Sequence, residues 1–282
     1  DKLNNAPGAD YYLTQGFICL NPQGEIDNLE RGGSDYTASL IGAALNSEEV
    51  QIWTDVLGVL TADPRHVPEA SPISELSFRE AAELAAFGAK VLHPATIQPA
   101  VEANIPVTVR HTLHPEGPFS TITAEGACTG SRAATAIASR GPIHVVTIES
   151  SRMLAQSGFL ARIFEVFGRL GASVDVVATA EVSVSLTVDA EAPLDEIRRE
   201  LSSFAHVSLA RDRALVAVVG ERLKHTPGLA GRVFGALSEI NVEMISMGSN
   251  EVNLSLVVAG ADETRAVQRL HAVFFAQAGG GR

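Results

Sequence analysis

The chain has 282 residues, 46% of them hydrophobic, and a formal net charge of -12. That length accommodates two or three domains, and an acidic balance of this size argues against a nucleic-acid partner. Cys19 and Cys128 are too few and too far apart for a disulfide framework or a zinc site, and no apolar run reaches membrane-spanning length, so a cytoplasmic protein with no membrane partner is expected.

Residues 1–10, polar and carrying Pro7 and Gly8, read as a loop. Residues 12–20 read as a strand, and Asn21-Pro22-Gln23-Gly24 as a turn. Before an Ala-rich helix at 38–45 lies Glu30-Arg31-Gly32-Gly33-Ser34-Asp35. Adjacent glycines let the backbone turn tightly and let an anion approach it closely. Ser34 or Asp35 can cap the helix, and free N–H groups beside Arg31 favour a phosphate or carboxylate. An ordinary Gly-rich turn before a capped helix explains the same residues. The lysine-bearing phosphate loop is excluded, because Gly-Lys-Ser/Thr does not occur.

Residues 50–54 read as a buried strand whose carboxyl end leads into Thr54, Asp55, Leu60, Asp63 and Arg65. Ligands of open α/β sheets bind beyond such ends. Asp55 can hold a ribose hydroxyl or an amino group, or help place magnesium; Arg65 can meet a phosphate bidentately. Equally, Asp63-Pro64 is a turn with which Arg65 pairs. Ser77 and Glu80 fit a capping box in a helix over 74–87 that Gly88 would end. Lys90, just beyond, can reach a nucleotide or stand on the surface. His93, before Pro94, reads as a structural hydrogen-bonder. A helix over 95–103 containing Pro99 and a strand over 105–110 follow. Periodicity then fades to residue 130, and a domain linker is expected at 120–130.

The second half repeats at an offset of about seventy residues: Gly158-Phe159-Leu160 matches Gly228-Leu229-Ala230, and Asp175 matches Glu243. Each copy reads as part of a β-α-β-β-α-β unit. The first has strands at 143–149, 173–178, 182–189 and 206–211, with helices at 158–170 and 193–203. The second has strands at 215–220, 242–247 and 252–259, with helices at 228–240 and 262–275. It lacks a final strand, which the alternating run at 132–139 can supply, so the modules are expected to intertwine. His144, His206, His225 and His271 are scattered and read as structural or exposed. The helix start at Ser157-Gly158 can receive a carboxylate, while Asp175 and Glu181 can take amino groups, which together suit a free amino acid. Alternatively, Asp175 pairs with Arg162 or Arg169, or this face is an interface.

Taken together, Arg31-Gly32-Gly33-Ser34-Asp35-Tyr36-Thr37-Ala38, Trp53-Thr54-Asp55 with Thr61-Ala62-Asp63-Pro64-Arg65, Phe87-Gly88-Ala89-Lys90-Val91-Leu92-His93-Pro94 and the two repeats resemble aspartate kinase. Met153, Ser173-Val174-Asp175 and Thr179-Ala180-Glu181 resemble its lysine-sensitive class. The resemblance implies an α/β fold: the C-terminal part of an amino-acid-kinase α/β/α sandwich over residues 1–125, then two intertwined ferredoxin-like ACT modules over 126–282. The first module would occupy 143–211; the second would occupy 212–275, completed by the strand at 132–139. It implies transfer of phosphate from ATP, with Mg2+, to the side chain of L-aspartate, feedback inhibition by L-lysine, and a homodimer or tetramer joined through the ACT modules. Arg31, Gly32, Gly33, Ser34 and Asp35 would lie where aspartate meets the transferred phosphate. Thr54, Asp55, Leu60, Arg65, Lys90 and Val91 would bind nucleotide. Met153, Phe159, Leu160, Val174, Asp175, Thr179 and Glu181 would line the lysine pocket.

The family's leading Lys-Phe-Gly-Gly motif is not in this sequence, so a chain lacking the N-terminal part of the kinase domain, and catalytically incomplete alone, is expected. Glu30, Leu60, Gln156, Ala178 and Ala180 also depart from the family pattern. The competing expectations are a stand-alone amino-acid-sensing or partner subunit without kinase activity, and a kinase for another amino acid.

Overall fold

The computed structural model describes residues 10–29, 32–87, 94–126, 133–154, 157–248 and 251–275. Near the N-terminus, β1 (Ile18–Leu20) and β2 (Ile26–Asn28) form an antiparallel hairpin around the Asn21–Gly24 turn. The strand expected over 12–20 is thus only three residues long. Tyr12, Leu13, Ile18, Leu20 and Ile26 are exposed, so no packing lengthens it. Helix α1 (Gly33–Leu45) begins five residues earlier than expected and ends at Asn46, which adopts the left-handed conformation.

A four-stranded sheet of order β3-β5-β6-β4 follows. It is built from β3 (Val50–Thr54), β4 (Glu75–Ser77), β5 (Val107–His111) and β6 (Ser120–Thr123). Along β3, Val50 and Ile52 are buried while Gln51 and Trp53 are exposed, the period-two pattern of a strand covered on one face. Helices α2 (Phe78–Ala86) and α3 (Pro94–Glu102) complete this portion. The capping box is present: Ser77 Oγ accepts the Glu80 N–H at 3.1 Å and Glu80 Oε2 accepts the Ser77 N–H at 2.7 Å. Residues 75–77, expected as helix, instead form β4. They pair in parallel with β6, a strand unrecognised among the Pro- and Gly-rich residues. Gly88, the expected helix stop, lies outside the described residues.

The C-terminal half contains β7 (Ala136–Glu149), α4 (Phe159–Arg169), β8 (Val174–Thr179), β9 (Ser183–Asp189), α5 (Leu194–Leu201), β10 (His206–Val219), α6 (Leu229–Ala236), β11 (Val242–Met247), β12 (Asn253–Ala259) and α7 (Glu263–Phe275). Its six strands form one sheet, β11-β12-β10-β7-β9-β8. The expected intertwining is present. Ala136 to Arg140 pair with Val219 to Leu215, so the run before the first copy completes the second. The two central strands are not separate segments as read from sequence: β7 and β10 each have 14 residues and run through both copies. Register shifts between Ala210 and Leu215, with Asp212 at φ 56°, mark the change from one copy to the other. Two cores result. Val146, Ile148, Ile163 and Phe167 pack with α5 in the first copy; Val216, Val218, Val233 and Leu256 pack with α7 in the second.

Candidate functional site

At the start of α1 the N-cap is Gly32, left-handed at φ 78°, with no side-chain cap; the expected capping by Ser34 or Asp35 is not found. Gly33 is buried, and a Cβ there would lie 2.7 Å from Leu29 Cβ, so the close approach of hairpin and helix excludes a side chain. Thr37 locks this corner: its hydroxyl donates to the Gly33 carbonyl at 2.8 Å and accepts the Phe17 N–H at 3.2 Å. Ser34 is exposed, and Asp35 is half-buried, its carboxyl pushed up by burial. Arg31 and Glu30 lie outside the described residues.

The carboxyl ends of parallel strands β3 and β5 stand side by side, with Thr54 opposite His111. The Thr54 carbonyl accepts the Thr112 N–H at 2.8 Å and hydroxyl at 2.9 Å, and the Thr54 hydroxyl donates to Asp55 Oδ1 at 3.1 Å. The exposed Asp55 opens a loop tied back to β6 by Ser120, whose hydroxyl accepts the Val59 N–H at 2.8 Å and donates to the Ile73 carbonyl at 2.6 Å. Leu60 pairs with Pro72. Asp63 holds Arg65 through Nε and Nη2, at 2.9 and 2.5 Å from Oδ2. The pairing turn, one of the two arrangements open from the sequence, is therefore present. The guanidinium lowers the carboxyl's pKa, yet 78% of the Arg65 side chain remains exposed. Lys90 and Val91 lie outside the described residues.

In the first repeat α4 starts at a left-handed Gly158, φ 82°, where an added Cβ would meet nothing within 4 Å. Leu160 is exposed, whereas Phe159 is buried edge-on to Phe204 with ring centroids 5.6 Å apart; Met153 and Val174 pack on the same core. Asp175 and Thr179 are exposed on alternate positions of the edge strand β8, and Glu181 lies exposed just beyond. Asp175 pairs with neither Arg162 nor Arg169. Its partner is Arg140 on β7, which also stands 3.7 Å from Asp189. Arg162 lies over the Phe204 ring and Arg169 pairs with Glu200. In the second repeat Glu243 meets Arg213 at 2.6 Å. Nothing in the sequence singles out Arg140, which stands 35 residues from Asp175; only the long strand β7 brings them together.

Sequence reasoning also missed the polar seam between α2 and the second repeat. Glu221 accepts the Ser77 hydroxyl at 2.5 Å and Arg79 Nη2 at 2.7 Å, and the capping-box Glu80 accepts the Thr135 hydroxyl at 2.5 Å. Arg79, Glu80, Thr135 and Glu221 border a cleft of about 1120 Å³. Among the described residues no group of three His, Cys, Asp or Glu is arranged to hold a metal, and no helix is long and apolar enough to cross a membrane.

A parallel-stranded α/β portion joined to paired β-α-β-β-α-β modules has the architecture of an amino-acid-kinase-like domain followed by ACT-type modules. Residues 6–111 match the amino acid kinase family and residues 216–274 match the ACT domain. The chain is 44% identical over 263 residues to aspartokinase 1, chloroplastic, of Arabidopsis thaliana, covering 89% of this chain and 46% of that protein. It is 41% identical over 271 residues to lysine-sensitive aspartokinase 3 of Escherichia coli (strain K12), covering 93% of this chain and 60% of that one. The crystal structure of Escherichia coli aspartokinase III in complex with lysine and aspartate (T-state) superposes with TM-score 0.78 at 42% identity, over 93% of this chain and 59% of that chain. The chain is thus similar in sequence and fold to aspartokinases, a lysine-sensitive one among them. It spans about half to three fifths of the length of these relatives.

Proposed function

We propose that the chain forms the nucleotide-binding part and the regulatory region of an aspartate kinase, which phosphorylates L-aspartate to 4-phospho-L-aspartate and is feedback-inhibited by L-lysine. Residues 1–125 belong to the kinase portion and 126–282 to the regulatory region. The reading rests on one observation above all: exposed Asp55 at the carboxyl end of a parallel strand, with exposed Arg65 further along the loop it opens, in a chain that aligns with a lysine-sensitive aspartokinase over 93% of its length.

Thr54, Asp55, Leu60 and Arg65, with Lys90 and Val91, hold the nucleotide. Asp63 neutralises part of Arg65 and presents the guanidinium outward, an arrangement that fits a phosphate. ATP brings Mg2+ on its phosphates, as magnesium prefers, and supplies the phosphoryl group. Arg31 and the α1 start at Gly32, Gly33 and Ser34 orient aspartate and the incoming charge through backbone N–H groups. Burial pushes the Asp35 carboxyl up from its ordinary pKa.

In the first ACT module the effector's carboxylate meets the α4 start, and its ammonium competes with Arg140 for Asp175. Met153, Phe159, Leu160, Val174, Thr179 and Glu181 shape the pocket, and the edge strand β8 supports assembly of a dimer or tetramer through the modules. The two separated cysteines suit a reducing compartment such as the cytoplasm. A second reading, a regulatory subunit without kinase activity, is favoured by residues 136–275 closing both repeats on their own.

Calorimetric titration with L-lysine, controlled by L-threonine and L-methionine, and separately with Mg-ADP, tests both. Saturable binding of one lysine per chain together with Mg-ADP supports the kinase reading. Lysine without nucleotide selects the regulatory subunit, and neither, from a folded chain, rejects both.

A further inference from the structure

We infer that Thr61 is a positioning residue through which the regulatory region fixes the loop carrying Asp63 and Arg65; the inference rests on the nucleotide role proposed for that loop. Thr61 is 2% exposed, and every polar group it has is engaged. Its N–H donates to the Ser71 carbonyl at 3.0 Å and its hydroxyl accepts the Ser71 N–H at 3.1 Å, which closes residues 61–71 into a loop with a neck at Thr61.

Its other two interactions leave the kinase portion. The Thr61 carbonyl accepts the Ile137 N–H of β7 at 2.8 Å, and its hydroxyl lies 2.9 Å from His271 Nε2 on α7. The hydroxyl that accepts from Ser71 still has its own hydrogen to donate, and in the Nδ1–H tautomer of His271 the free Nε2 is the acceptor for it. That requires a neutral ring, and burial holds His271 below the ordinary histidine pKa.

Helix α7 holds the loop again one and two turns before His271. Thr264 Oγ1 lies 2.9 Å from His66 Nδ1, and Gln268 Nε2 donates to the His66 carbonyl at 2.8 Å. Thr264, Gln268 and His271 follow the i, i+4, i+7 spacing of one helix face, so a single face serves the whole loop. The equivalent helix of the first copy, α5, directs Asp195 and Glu200 to Arg211 and Arg169 of its own copy. Ile137, bonded to the loop neck, and Arg140, bonded to Asp175, lie on the same strand β7, so the neck is attached to the element that also reaches the first module.

Three variants of the full chain test this: Thr61→Val, His271→Phe, which keeps an aromatic ring beside Phe275 but has no acceptor, and His271→Gln, which retains one. Amide hydrogen exchange over residues 61–71, Mg-ADP affinity and melting temperature are read together. Loss of this hydrogen bond should speed exchange in the loop and weaken Mg-ADP by about 2- to 10-fold in Thr61→Val and in His271→Phe. The double variant should be no worse than either single one, and His271→Gln should recover most of the loss. Unchanged exchange over residues 61–71, exchange raised equally throughout the chain, or additive losses in the double variant would overturn the inference. If the unaltered chain binds no Mg-ADP, the nucleotide reading falls, while the exchange pattern alone still decides whether Thr61 positions the loop.

Discussion

The two repeats share a helix that starts at a left-handed glycine, Gly158 at φ 82° and Gly228 at φ 76°, and an acid at the same place in the next strand, Asp175 or Glu243. Their outer faces differ. The second repeat is bonded into the kinase portion at several places, among them Glu221 to Ser77 and Arg79, Thr135 to Glu80, His271 to Thr61, and Thr264 and Gln268 to His66. In the first, among the described residues, the ion pairs of α4 and α5 stay within the copy, and Asp175 is held by Arg140, which has a second acid nearby. Two copies of one backbone plan thus divide into an anchored module and a more open one, and the division lies in side chains, not in topology.

The largest effect that would sharpen this comparison is expected from Ile163→Ala. Ile163 is fully buried in the first core, and the truncation should destabilise that module by about 2–5 kcal/mol. Hydrogen exchange should show the loss concentrated in α4, α5, β8 and β9, with residues 61–71 unaffected. An equal loss across the kinase portion would mean that the modules do not behave as separate units.

Next comes the acid pair. Asp175→Ala should weaken L-lysine binding by about 1–3 kcal/mol, measured calorimetrically, because the charged partner of its ammonium is removed. Glu243→Ala should leave it nearly unchanged. Equal effects would erase the proposed functional difference between the copies.

Ser77→Ala should cost about 1 kcal/mol in a denaturant melt through the lost helix cap, and it also breaks the contact with Glu221. Glu221→Gln retains an acceptor for Ser77 but loses the Arg79 charge pair, so it should cost less. The reverse order would put the weight of this seam on the ion pair.

The smallest effect is the pH dependence of His271. Its ring is kept below the ordinary value of 6.5 by burial, opposed weakly by Glu69. The unfolded chain therefore binds a proton that the folded ring refuses. The stability is fully present above about pH 6.5 and is lost as the pH falls from there toward the folded-state value. Melting temperatures between about pH 8 and about pH 5 should fall more steeply for the unaltered chain than for His271→Gln. Parallel curves would remove His271 as the source.

Much of this was legible in the residues. Val50–Thr54, Val242–Met247 and the Ser77–Glu80 capping box follow from alternation and from local hydrogen-bonding chemistry, which operate over a few residues. The β-α-β-β-α-β order and the strand exchange were readable because one copy was visibly a strand short. Short strands escaped: β4 and β6 have three and four residues, too few for a period, and exist because they pair with each other and, for β6, with β5. The candidate site was legible as a set of residue types, Thr54, Asp55, Arg65 and Asp175, but not as a set of partners. Arg140 and Asp175, or Thr61 and His271, are joined across 35 and 210 residues.

By itself, then, the amino-acid order determined where the helices and the longer strands form and which residues can bind an anion or an ammonium, since those properties belong to neighbouring residues and to single side chains. Only the tertiary structure decided that β7 and β10 are continuous through both modules, that Arg140 takes Asp175, and that a helix of the second module closes on Thr61. Each of these depends on where distant strands come to lie in one sheet, and on which polar groups, once buried together, must satisfy one another.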